Sequence, residues 1–486
     1  MPKPDLVAWL LPNGIVEMAV NRWDFIVVLA ASLVCCRFAL PLLEPEESRY
    51  AELPRQMIET ESWIVPTLDG QPYLDKPPLL YWLVAGAYQS LGVSVFVARI
   101  VPTVAAAFAV WVVFRWVRRE MGQSAGILAA AILLLMPDFF YRGPQLTMNG
   151  LLAAATTASL AAGYAAIAKD RFQWGWWICS AVCCGIGLLA KGPVAAALVG
   201  LPLVIVPLVD RRLVRPSILA FLGFAVITIA VAGPWFVLVA QRQSGFIDYF
   251  FWKHHVDRVV NPFDHAKPWW YFLPQVLLGL LPWTPVLFLV AYRWLRGHAI
   301  PSLAVFGLMA GVIGIVLFSF SGSKRPVYLV PVYPPLAVAV AAFLWHEFEA
   351  GRRVLGVGRT GWLRFTAMSA VAMGIFFVVF LPQYHHRFSA EPVIRQTFKL
   401  HDSISIPTRE YAVTYGSPAA SFQLRQTIPI VPLDRLNTIA PPHLHERVIL
   451  FVPPRQAASI AALLTTGYVE TVQNGEIAVL MWWPGK

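Results

Sequence analysis

Charged residues are scarce in this chain of 486 residues, and their scarcity decides its class. Asp, Glu, Lys and Arg together make up 13% of the sequence, whereas hydrophobic residues make up 58%. An average soluble domain carries about twice that share of charge, so the composition excludes a water-soluble globule of this length. The sequence predicts a polytopic membrane protein.

Cysteine is also rare, and its placement excludes two kinds of site. All five cysteines lie inside apolar runs, and no pair of C-x-x-C motifs is present. The pattern therefore predicts neither a disulfide framework nor a zinc site built on thiolates. The sequence contains no solenoid repeat and no low-complexity segment. The cysteines are Cys35, Cys36, Cys179, Cys183 and Cys184.

Acidic residues are outnumbered by basic ones, 27 to 38, which gives a formal net charge of +11. The excess lies in short blocks between apolar runs, a pattern that sets membrane topology and does not indicate a nucleic-acid partner. These blocks occupy every second connection, which the positive-inside rule places in the cytoplasm. The loops at 44–78, 241–270 and 321–326 and the C-terminal tail then lie on the opposite face, so the number of spans is odd.

A helix needs about 20 mostly apolar residues to cross the hydrocarbon of a bilayer. Eleven segments meet this test and predict an all-α membrane domain of about 11–13 transmembrane helices. The run Leu79–Leu91 is shorter, and it forms either a half-buried helix or one more span. The first segment lacks a cleavage site before the next charged loop, so we expect an uncleaved helix. The eleven segments are 24–43, 97–117, 124–141, 147–167, 175–190, 193–209, 216–240, 271–293, 302–320, 327–346 and 365–382.

The composition changes near residue 388, where the apolar spans stop. The stretches YAVTY and RVILFV predict strands, PRQAASIAALLTTG predicts a helix, and Asn474-Gly475 predicts a hairpin turn before EIAVLMWW. We therefore expect two domains, a transmembrane domain at 1–387 and a small α/β or α+β domain at 388–486 on the outer side. We also expect amphipathic juxtamembrane helices in the 44–78 loop.

Polar residues collect on the predicted outer face. The stretch LEPEESRYAELPRQM after the first span places three carboxylates beside an arginine and a tyrosine, and acidic residues do little for topology. Four further segments on this face carry lysines, arginines, histidines and tyrosines. The candidate site residues are Glu46, Glu47, Arg49, Tyr50, Tyr73, Lys76, Tyr81, Asn149, Lys191, His255, Arg258, His265, Lys324 and Arg325.

Simpler interpretations of these residues stay open. A lysine at a span end, such as Lys191, often only anchors at lipid headgroups, and the Trp269-Trp270-Tyr271 cluster is typical of an interfacial aromatic belt. The histidines near His255 and His265 are possible metal ligands, but their spacing fits no known signature. We therefore expect no metal and no cofactor.

Carboxylates among scattered cations suggest a transfer reaction on a lipid phosphate. Guanidinium and ammonium groups are natural partners of phosphate oxygens, whereas a carboxylate would repel the phosphate unless it served the other substrate. The pairing suggests glycosyl transfer, in which cations stabilise the departing phosphate and a carboxylate takes the proton of the acceptor.

Four ordered motifs resemble the polytopic glycosyltransferases of the C superfamily, in the branch of the lipid A aminoarabinose transferases and protein O-mannosyltransferases. They are EPEESRYAE, WIVPTLDGQPYLDKPPLLYW, HHVDRVVNPFDHAKPWWYFLP and SKRPVYLVPVYPPLA, and the resemblance covers residues 24 to about 340. It implies that Glu46 carries catalysis with Glu47 as its supporting neighbour. It also implies that Arg49, Tyr73, Lys76 and Arg258 meet the donor phosphate.

The chain also departs from the family pattern. The family commonly has Asp at the position of Glu46, and Arg325 follows the matching Lys324 where an apolar residue is usual. A second acidic residue is missing from YRGPQLTMNGLL, in which Asn149 is the nearest polar candidate.

The resemblance implies an inverting enzyme that moves a sugar from polyprenyl phosphate, such as undecaprenyl phosphate, to a lipid A-like lipid or envelope glycan. We expect a monomer in the bacterial inner membrane, with its active site and C-terminal domain on the periplasmic side. A protein O-mannosyltransferase is one alternative. A non-enzymatic lipid or solute transporter is another, although inverted repeats and broken helices at the membrane midplane are not seen in the sequence.

Overall fold

The computed structural model describes residues 22–35, 40–250, 266–401, 408–413, 417–436, 447–464, 467–474 and 477–484. It divides the chain into two compact units. The membrane unit comprises Met1–Arg37, Leu74–Leu80 and Arg99–Gly374, and the sheet unit comprises Phe38–Tyr73, Tyr81–Ala98 and Ile375–Lys486. The predicted boundary between 1–387 and 388–486 stays a prediction.

The predicted fold class, a helical membrane protein with a small C-terminal sheet domain, is confirmed. Within the described ranges, seven helices are long and apolar enough to cross a membrane, or eight if one bent pair counts as a span. Two further predicted spans, 124–141 and 193–209, contain the shorter apolar helices Gln123–Leu134 and Val194–Val209. The predicted span 24–43 contains the 14-residue helix Arg22–Cys35 and also residues 36–39, which lie outside the described residues. The helices whose bounds are described between residues 22 and 387 are α1 (Arg22–Cys35), α2 (Glu46–Glu59), α3 (Leu79–Leu91), α4 (Val95–Met121), α5 (Gln123–Leu134), α6 (Pro137–Arg142), α7 (Met148–Ile167), α8 (Trp174–Lys191), α9 (Val194–Val209), α10 (Ile218–Arg242), α11 (Phe272–Gly279), α12 (Thr284–Leu295), α13 (Ser302–Phe320), α14 (Tyr333–Glu349) and α15 (Arg359–Arg387).

Two predicted spans are interrupted, and both interruptions contain proline. The segment predicted at 271–293 is split into α11, preceded by a short 3-10 turn, and α12, with a bend of 113° between them. The segment predicted at 124–141 is split into α5 and α6. Pro282 and Pro137 lie at the breaks, and proline cannot donate the backbone hydrogen bond that would continue the preceding helix.

The core of the membrane unit is built around α14, in which every residue from Leu336 to Leu344 is fully buried. Helix α13 packs directly on it through glycines. A Cβ atom at Gly307 would lie 2.5 Å from the carbonyl oxygen of Pro335, and one at Gly311 would lie 2.3 Å from the Leu336 side chain. Small residues four apart allow two membrane helices to approach closely, so these two positions require glycine.

Helices α7 and α8 are joined by polar groups inside the apolar unit. The hydroxyl of Ser159 donates to the carbonyl oxygen of Ser180 at 2.7 Å, and the hydroxyl of Ser180 donates to the carbonyl oxygen of Ser159 at 2.7 Å. Such reciprocal bonds satisfy hydroxyls that have no water to bond in a membrane interior, and they fix the register of the two helices.

The sheet unit contains a five-stranded sheet in the order β4-β3-β5-β7-β6. Strand β3 pairs parallel with β4 and β5, whereas β7 pairs antiparallel with β5 and β6. The described parts of the predicted strands are present, and the helix predicted at 454–467 spans Ala457–Leu463 after a short 3-10 turn, whereas Gly467 begins a strand. The N–H of Asn474 donates to the carbonyl oxygen of Ile477 at 2.9 Å in the predicted hairpin turn. The elements are α16 (Glu391–His401), β3 (Thr408–Val413), α17 (Pro418–Leu424), β4 (Ile430–Val431), β5 (Arg447–Val452), α18 (Ala457–Leu463), β6 (Gly467–Gln473) and β7 (Ala478–Pro484), in addition to a two-stranded ribbon of β1 (Thr67–Leu68) and β2 (Gln71–Pro72).

Both faces of this sheet are buried, which explains the continuous apolar run of β5. Ile449 and Phe451 contribute to one core with α16 and α17, and Val448 and Leu450 contribute to the other core with α18. Successive side chains of a strand point to opposite faces. A strand that is covered on both faces therefore has an unbroken apolar sequence.

Candidate active site

The acidic pair that follows the first apolar segment opens helix α2. Glu46 is the first helical residue and Glu47 the second. Glu47 is 2% exposed, and its carboxylate accepts a hydrogen bond from the backbone N–H of Leu43 at 2.9 Å. Glu46 is half-buried. Because successive helical side chains point about 100° apart, the two carboxylates face different surroundings, and Glu47 is the one that fixes the chain entering α2.

Three tyrosines that the sequence identified separately lie together in the sheet unit. The rings of Tyr50 and Tyr81 are 6.2 Å apart between centroids, and those of Tyr73 and Tyr81 are 6.4 Å apart and nearly perpendicular. Tyr81 is fully buried and Tyr50 is nearly so, whereas Tyr73 is half-buried. The cluster packs Tyr73 and Tyr81 on Tyr50 of α2 within the sheet unit.

A buried ion pair lies further along α2. The guanidinium of Arg55 donates to both carboxylate oxygens of Glu52, at 2.7 and 2.8 Å, and Glu52 is fully buried. Burial raises the pKa of Glu52 above its ordinary value, although Arg55 counteracts the rise. Arg55 also donates to the carbonyl oxygen of Arg425 at 3.3 Å. The pair therefore fastens α2 to the end of α17.

Arg49 lies on the exposed side of the same helix, half-buried. Burial raises the pKa of the Asp69 carboxyl, and the nearby charge of Arg49 counteracts that rise. The backbone N–H of Asp69 donates to the side-chain oxygen of Gln56 at 2.9 Å. These contacts hold the β1–β2 ribbon on α2.

In the membrane unit, the segment after Tyr73 is anchored by Asp75. Its carboxylate accepts a hydrogen bond from the hydroxyl of Tyr249 at 2.7 Å. The ammonium group of Lys76 donates to the carbonyl oxygen of Asp75 at 3.0 Å, and Lys76 is half-buried. Asp75 and Tyr249 are not among the site residues predicted from the sequence, and 174 residues separate them, so no local spacing could have paired them.

The predicted residues Lys191 and Asn149 lie together. The ammonium group of Lys191, in the last turn of α8, donates to the side-chain oxygen of Asn149 at 2.5 Å and lies 4.2 Å from the ring centroid of Tyr328. Asn149 in turn donates to the hydroxyl of Thr147, the cap of α7, at 3.2 Å. Lys191 is thus part of a built polar cluster rather than an anchor reaching for headgroups.

Lys324 and Arg325 lie in the loop between α13 and the helix that precedes α14. Lys324 is 3% exposed, and its ammonium group donates to the carbonyl oxygens of Lys267, at 3.1 Å, and of Ser321. Burial lowers the pKa of both side chains from their ordinary values. The hydrogen bonds of Lys324 therefore link the loop before α11 to the loop that contains Lys324.

One acidic residue near the membrane was missed by the sequence analysis. Asp138, the second residue of α6, accepts hydrogen bonds from Arg142 at 2.6 Å and from the hydroxyl of Tyr333 at 2.9 Å. The space beside it is tight, because a Cβ atom at Gly279 would lie 2.7 Å from the Cβ of Asp138. The signal in the sequence was a lone carboxylate in an apolar segment, which is a functional candidate by default.

Sequence comparisons connect the chain to enzymes that use lipid-linked sugars. A family model described as dolichyl-phosphate-mannose-protein mannosyltransferase matches residues 75–237. An undecaprenyl phosphate-alpha-4-amino-4-deoxy-L-arabinose arabinosyl transferase of Pseudomonas fluorescens is 29% identical over 366 residues, which is 70% of this chain and 62% of the relative. The corresponding protein of Yersinia enterocolitica is 31% identical over 312 residues, 62% of this chain and 55% of the relative. The chain thus spans less than two thirds of the length of these relatives.

Structural comparison extends over nearly the whole chain. The crystal structure of ArnT from Cupriavidus metallidurans bound to undecaprenyl phosphate matches with a TM-score of 0.77 at 21% identity, covering 97% of this chain and 98% of that one. The resemblance to polytopic glycosyltransferases of the C superfamily is confirmed. The oligosaccharyltransferase AglB of Archaeoglobus fulgidus shares the fold more distantly, with a TM-score of 0.53 at 12% identity over 96% of this chain and 74% of that one.

Three residues that the glycosyltransferase motifs single out, His255, Arg258 and His265, lie in 251–265, outside the described residues. Their assignment stays a prediction. Among the residues that are described, no group of three His, Cys, Asp or Glu side chains has the geometry of a metal site.

Proposed function

We propose that this protein is an inverting membrane glycosyltransferase that moves a sugar from a polyprenyl phosphate, such as undecaprenyl phosphate, to a lipid A-like lipid or envelope glycan. In this reaction the bond between the sugar C1 and the phosphate oxygen breaks, and a bond forms between C1 and the acceptor oxygen. The acceptor proton passes to a carboxylate, and polyprenyl phosphate leaves.

The observation that carries the proposal is the agreement between fold and motifs. The chain aligns over 97% of its length with a transferase crystallised with undecaprenyl phosphate, and the acidic pair stands at the start of a helix packed in the sheet unit. A carboxylate at that position can accept the proton of an acceptor hydroxyl but would repel a phosphate. Glycosyl transfer needs such a carboxylate on the acceptor side and cations on the phosphate side.

We assign the acceptor-side base to Glu46, because Glu47 is buried and bonded to the Leu43 N–H. Neutralising the departing phosphate requires donors of positive charge or hydrogen bonds. A phosphate anion fits the cluster in which Lys191 is already oriented by Asn149 and by the ring of Tyr328. The remaining proposed donor-phosphate ligands are Arg49, Tyr73, Lys76, Arg258 and Lys324.

The location follows from the substrates. Lipid-phosphate sugars deliver sugar where nucleotide sugars are not available, so we place the active site and the C-terminal domain on the periplasmic face of the bacterial inner membrane. The arginine-rich loops on the opposite side agree with this orientation. We propose a monomer that acts on membrane lipids, without a nucleic-acid partner.

One observation favours a second candidate. The family model that matches residues 75–237 describes protein mannosyltransferases, so a protein acceptor is the principal alternative. A transporter is the alternative of another class, and the bent pair α11 and α12 is the feature that a transporter would use. Covalent transfer of labelled sugar distinguishes the transporter from both enzymes.

Mass spectrometry of the cell envelope tests the choice of acceptor. A strain that lacks the gene should lose one glycan mass from an envelope lipid or glycan, and the wild-type gene should restore it. The Glu46→Gln variant should fail to restore it, whereas the matched control Glu61→Gln, an exposed carboxylate outside α2, should succeed. Loss of a glycan from a protein instead would replace the lipid acceptor with the mannosyltransferase alternative.

A further inference from the structure

A cavity of about 350 Å³ lies in the membrane unit, where α4 ends and α8 begins. We call it the arginine cavity and define it by six of its lining residues. Its walls come from the last turns of α4, one face of α7 and the first turns of α8. The six residues are Trp111, Arg115, Arg118, Arg119, Ala161 and Trp176.

The arginine cavity carries a net positive charge. The buried carboxylate of Asp24, 1% exposed, accepts hydrogen bonds from Arg115 at 3.1 Å and from Arg118 at 3.2 Å. Arg119 pairs with Glu120 at 3.7 Å. Among the described residues that pair here, three guanidinium groups against two carboxylates leave one positive charge. Since each guanidinium has five N–H donors in a planar fork, this geometry suits an anion with several oxygens.

The rest of the lining is apolar and shaped like a groove. The α7 face that lines the cavity consists of alanines at the helical spacing i, i+3, i+4 and i+7, namely Ala158, Ala161, Ala162 and Ala165. Small side chains on a single helical face leave room for a narrow chain alongside the helix. Arg119 stacks on Trp176, with the guanidinium carbon 4.7 Å from the ring centroid, and tryptophan is typical of the depth of lipid headgroups.

The arginine cavity is separate from the cluster of Lys191, Asn149 and Tyr328 in the candidate active site. Trp176 and Lys191 lie near opposite ends of the same helix, α8. At 1.5 Å per residue their separation along the axis is about 22 Å, most of the thickness of a bilayer core. A ligand whose phosphate contacts one cluster cannot have the same phosphate contact the other.

We propose that the arginine cavity is a binding site for an anionic phospholipid, with its phosphate on Arg118 and Arg119 and one acyl chain along the alanine face of α7. The charge selects an anionic headgroup, and the apolar groove selects a lipid over a soluble phosphate. A basic pocket between helices at the membrane surface is the general form of such sites.

Native mass spectrometry of the delipidated full-length protein tests this proposal. The protein is titrated with phosphatidylglycerol, with phosphatidylethanolamine and with undecaprenyl phosphate, and the affinity of the first adduct is measured. Both lipids offer a phosphate to the arginines, but phosphatidylethanolamine also carries an ammonium group that the positive cavity repels. We therefore expect phosphatidylglycerol to bind at least about tenfold more tightly, which corresponds to about 1.4 kcal/mol. We also expect undecaprenyl phosphate to leave the phosphatidylglycerol adduct in place.

Three variants separate the effect of the arginine charge on lipid binding from the effect of the apolar groove. Arg119→Gln should remove the preference for phosphatidylglycerol, and Ala161→Phe should fill the groove and remove the adduct without any change of charge. Arg171→Gln makes the same charge change at an exposed position outside the cavity and should bind as the wild type does. Each variant is accepted only if it elutes as a single species in size-exclusion chromatography.

Three results would overturn the proposal. The first is equal binding of the two phospholipids by the wild type. The second is identical behaviour of Arg119→Gln and Arg171→Gln, which would move the charge effect out of the cavity. The third is displacement of phosphatidylglycerol by undecaprenyl phosphate, which would make this an isoprenoid phosphate site.

Discussion

Substitutions at Glu46 and Glu47 should separate catalysis from folding, although the two residues are adjacent and chemically identical. Glu47 accepts the N–H of Leu43 at 2.9 Å and is 2% exposed. Glu47→Ala removes this acceptor from a buried donor, which costs about 1–3 kcal/mol of stability. Glu47→Gln keeps an oxygen acceptor and loses only the charge, so we expect a smaller loss of about 1 kcal/mol.

Glu46→Gln should have the opposite profile. Glu46 is half-buried in the first turn of α2, where the loss of its charge removes a helix-dipole interaction of about 0.3–1 kcal/mol. Loss of a general base lowers turnover by about a hundredfold or more, equivalent to about 2.7 kcal/mol in the activation free energy. Donor binding should persist, because the carboxylate serves the acceptor.

Each variant is tested in two assays, one for stability and one for turnover. Thermal unfolding in detergent, followed by intrinsic tryptophan fluorescence, reports stability, and transfer of labelled sugar from polyprenyl phosphate reports turnover. The expected order of unfolding temperature is wild type, Glu46→Gln, Glu47→Gln and Glu47→Ala, whereas turnover is lowest in Glu46→Gln. A stable but inactive Glu47→Gln beside an active Glu46→Gln would refute the assignment of roles, and full activity of the double variant would remove catalysis from the pair.

Three further variants test other contacts, each against the wild type. Tyr249→Phe removes the donor to Asp75 and should raise KM for the donor more than it lowers kcat, with no KM change contradicting a positioning role. Lys191→Met should weaken donor binding at least about tenfold, measured by isothermal titration with undecaprenyl phosphate, and unchanged affinity would assign this lysine to structure alone. Burial raises the pKa of Glu52, so the contribution of its protonated form to stability is fully present below the unfolded pKa of about 4.3 and is lost as pH rises through the folded pKa. Glu52→Gln should reduce this fall of the unfolding temperature with rising pH. Parallel curves of unfolding temperature against pH for the wild type and Glu52→Gln would contradict it.

The fold class could be predicted because it rests on length and hydropathy. Within the described residues, seven of the predicted spans correspond to helices that are long and apolar enough to cross a membrane, since a run of about 20 apolar residues has few other stable states in a bilayer. The interruption of 271–293 was not predicted, although Pro282 lies within it. A proline inside an apolar run either kinks or ends a helix, and the tertiary surroundings decide which of the two occurs.

The assignment of the candidate residues to the site stays a prediction, and the pairings among them could not be predicted from the sequence. Asn149 and Lys191 were chosen separately as polar residues at span ends, and the structure joins them by a hydrogen bond across 42 residues of chain. The bond between Asp75 and Tyr249 could not be inferred, because the 174 residues between them carry no periodic signal of contact. The different surroundings of Glu46 and Glu47 likewise depend on the backbone N–H of Leu43, which no side-chain pattern encodes.

The central claim is that the protein transfers sugar covalently from a polyprenyl phosphate. The most direct test is incubation of the purified protein with polyprenyl phosphate carrying radiolabelled sugar and with total envelope lipid, followed by chromatographic separation of the products. We predict that the label moves to a new lipid or glycan species in the wild type and at most about a hundredth as fast in Glu46→Gln. Label that stays on the polyprenyl phosphate in the wild type, or crosses proteoliposome membranes without changing its carrier, would contradict the claim.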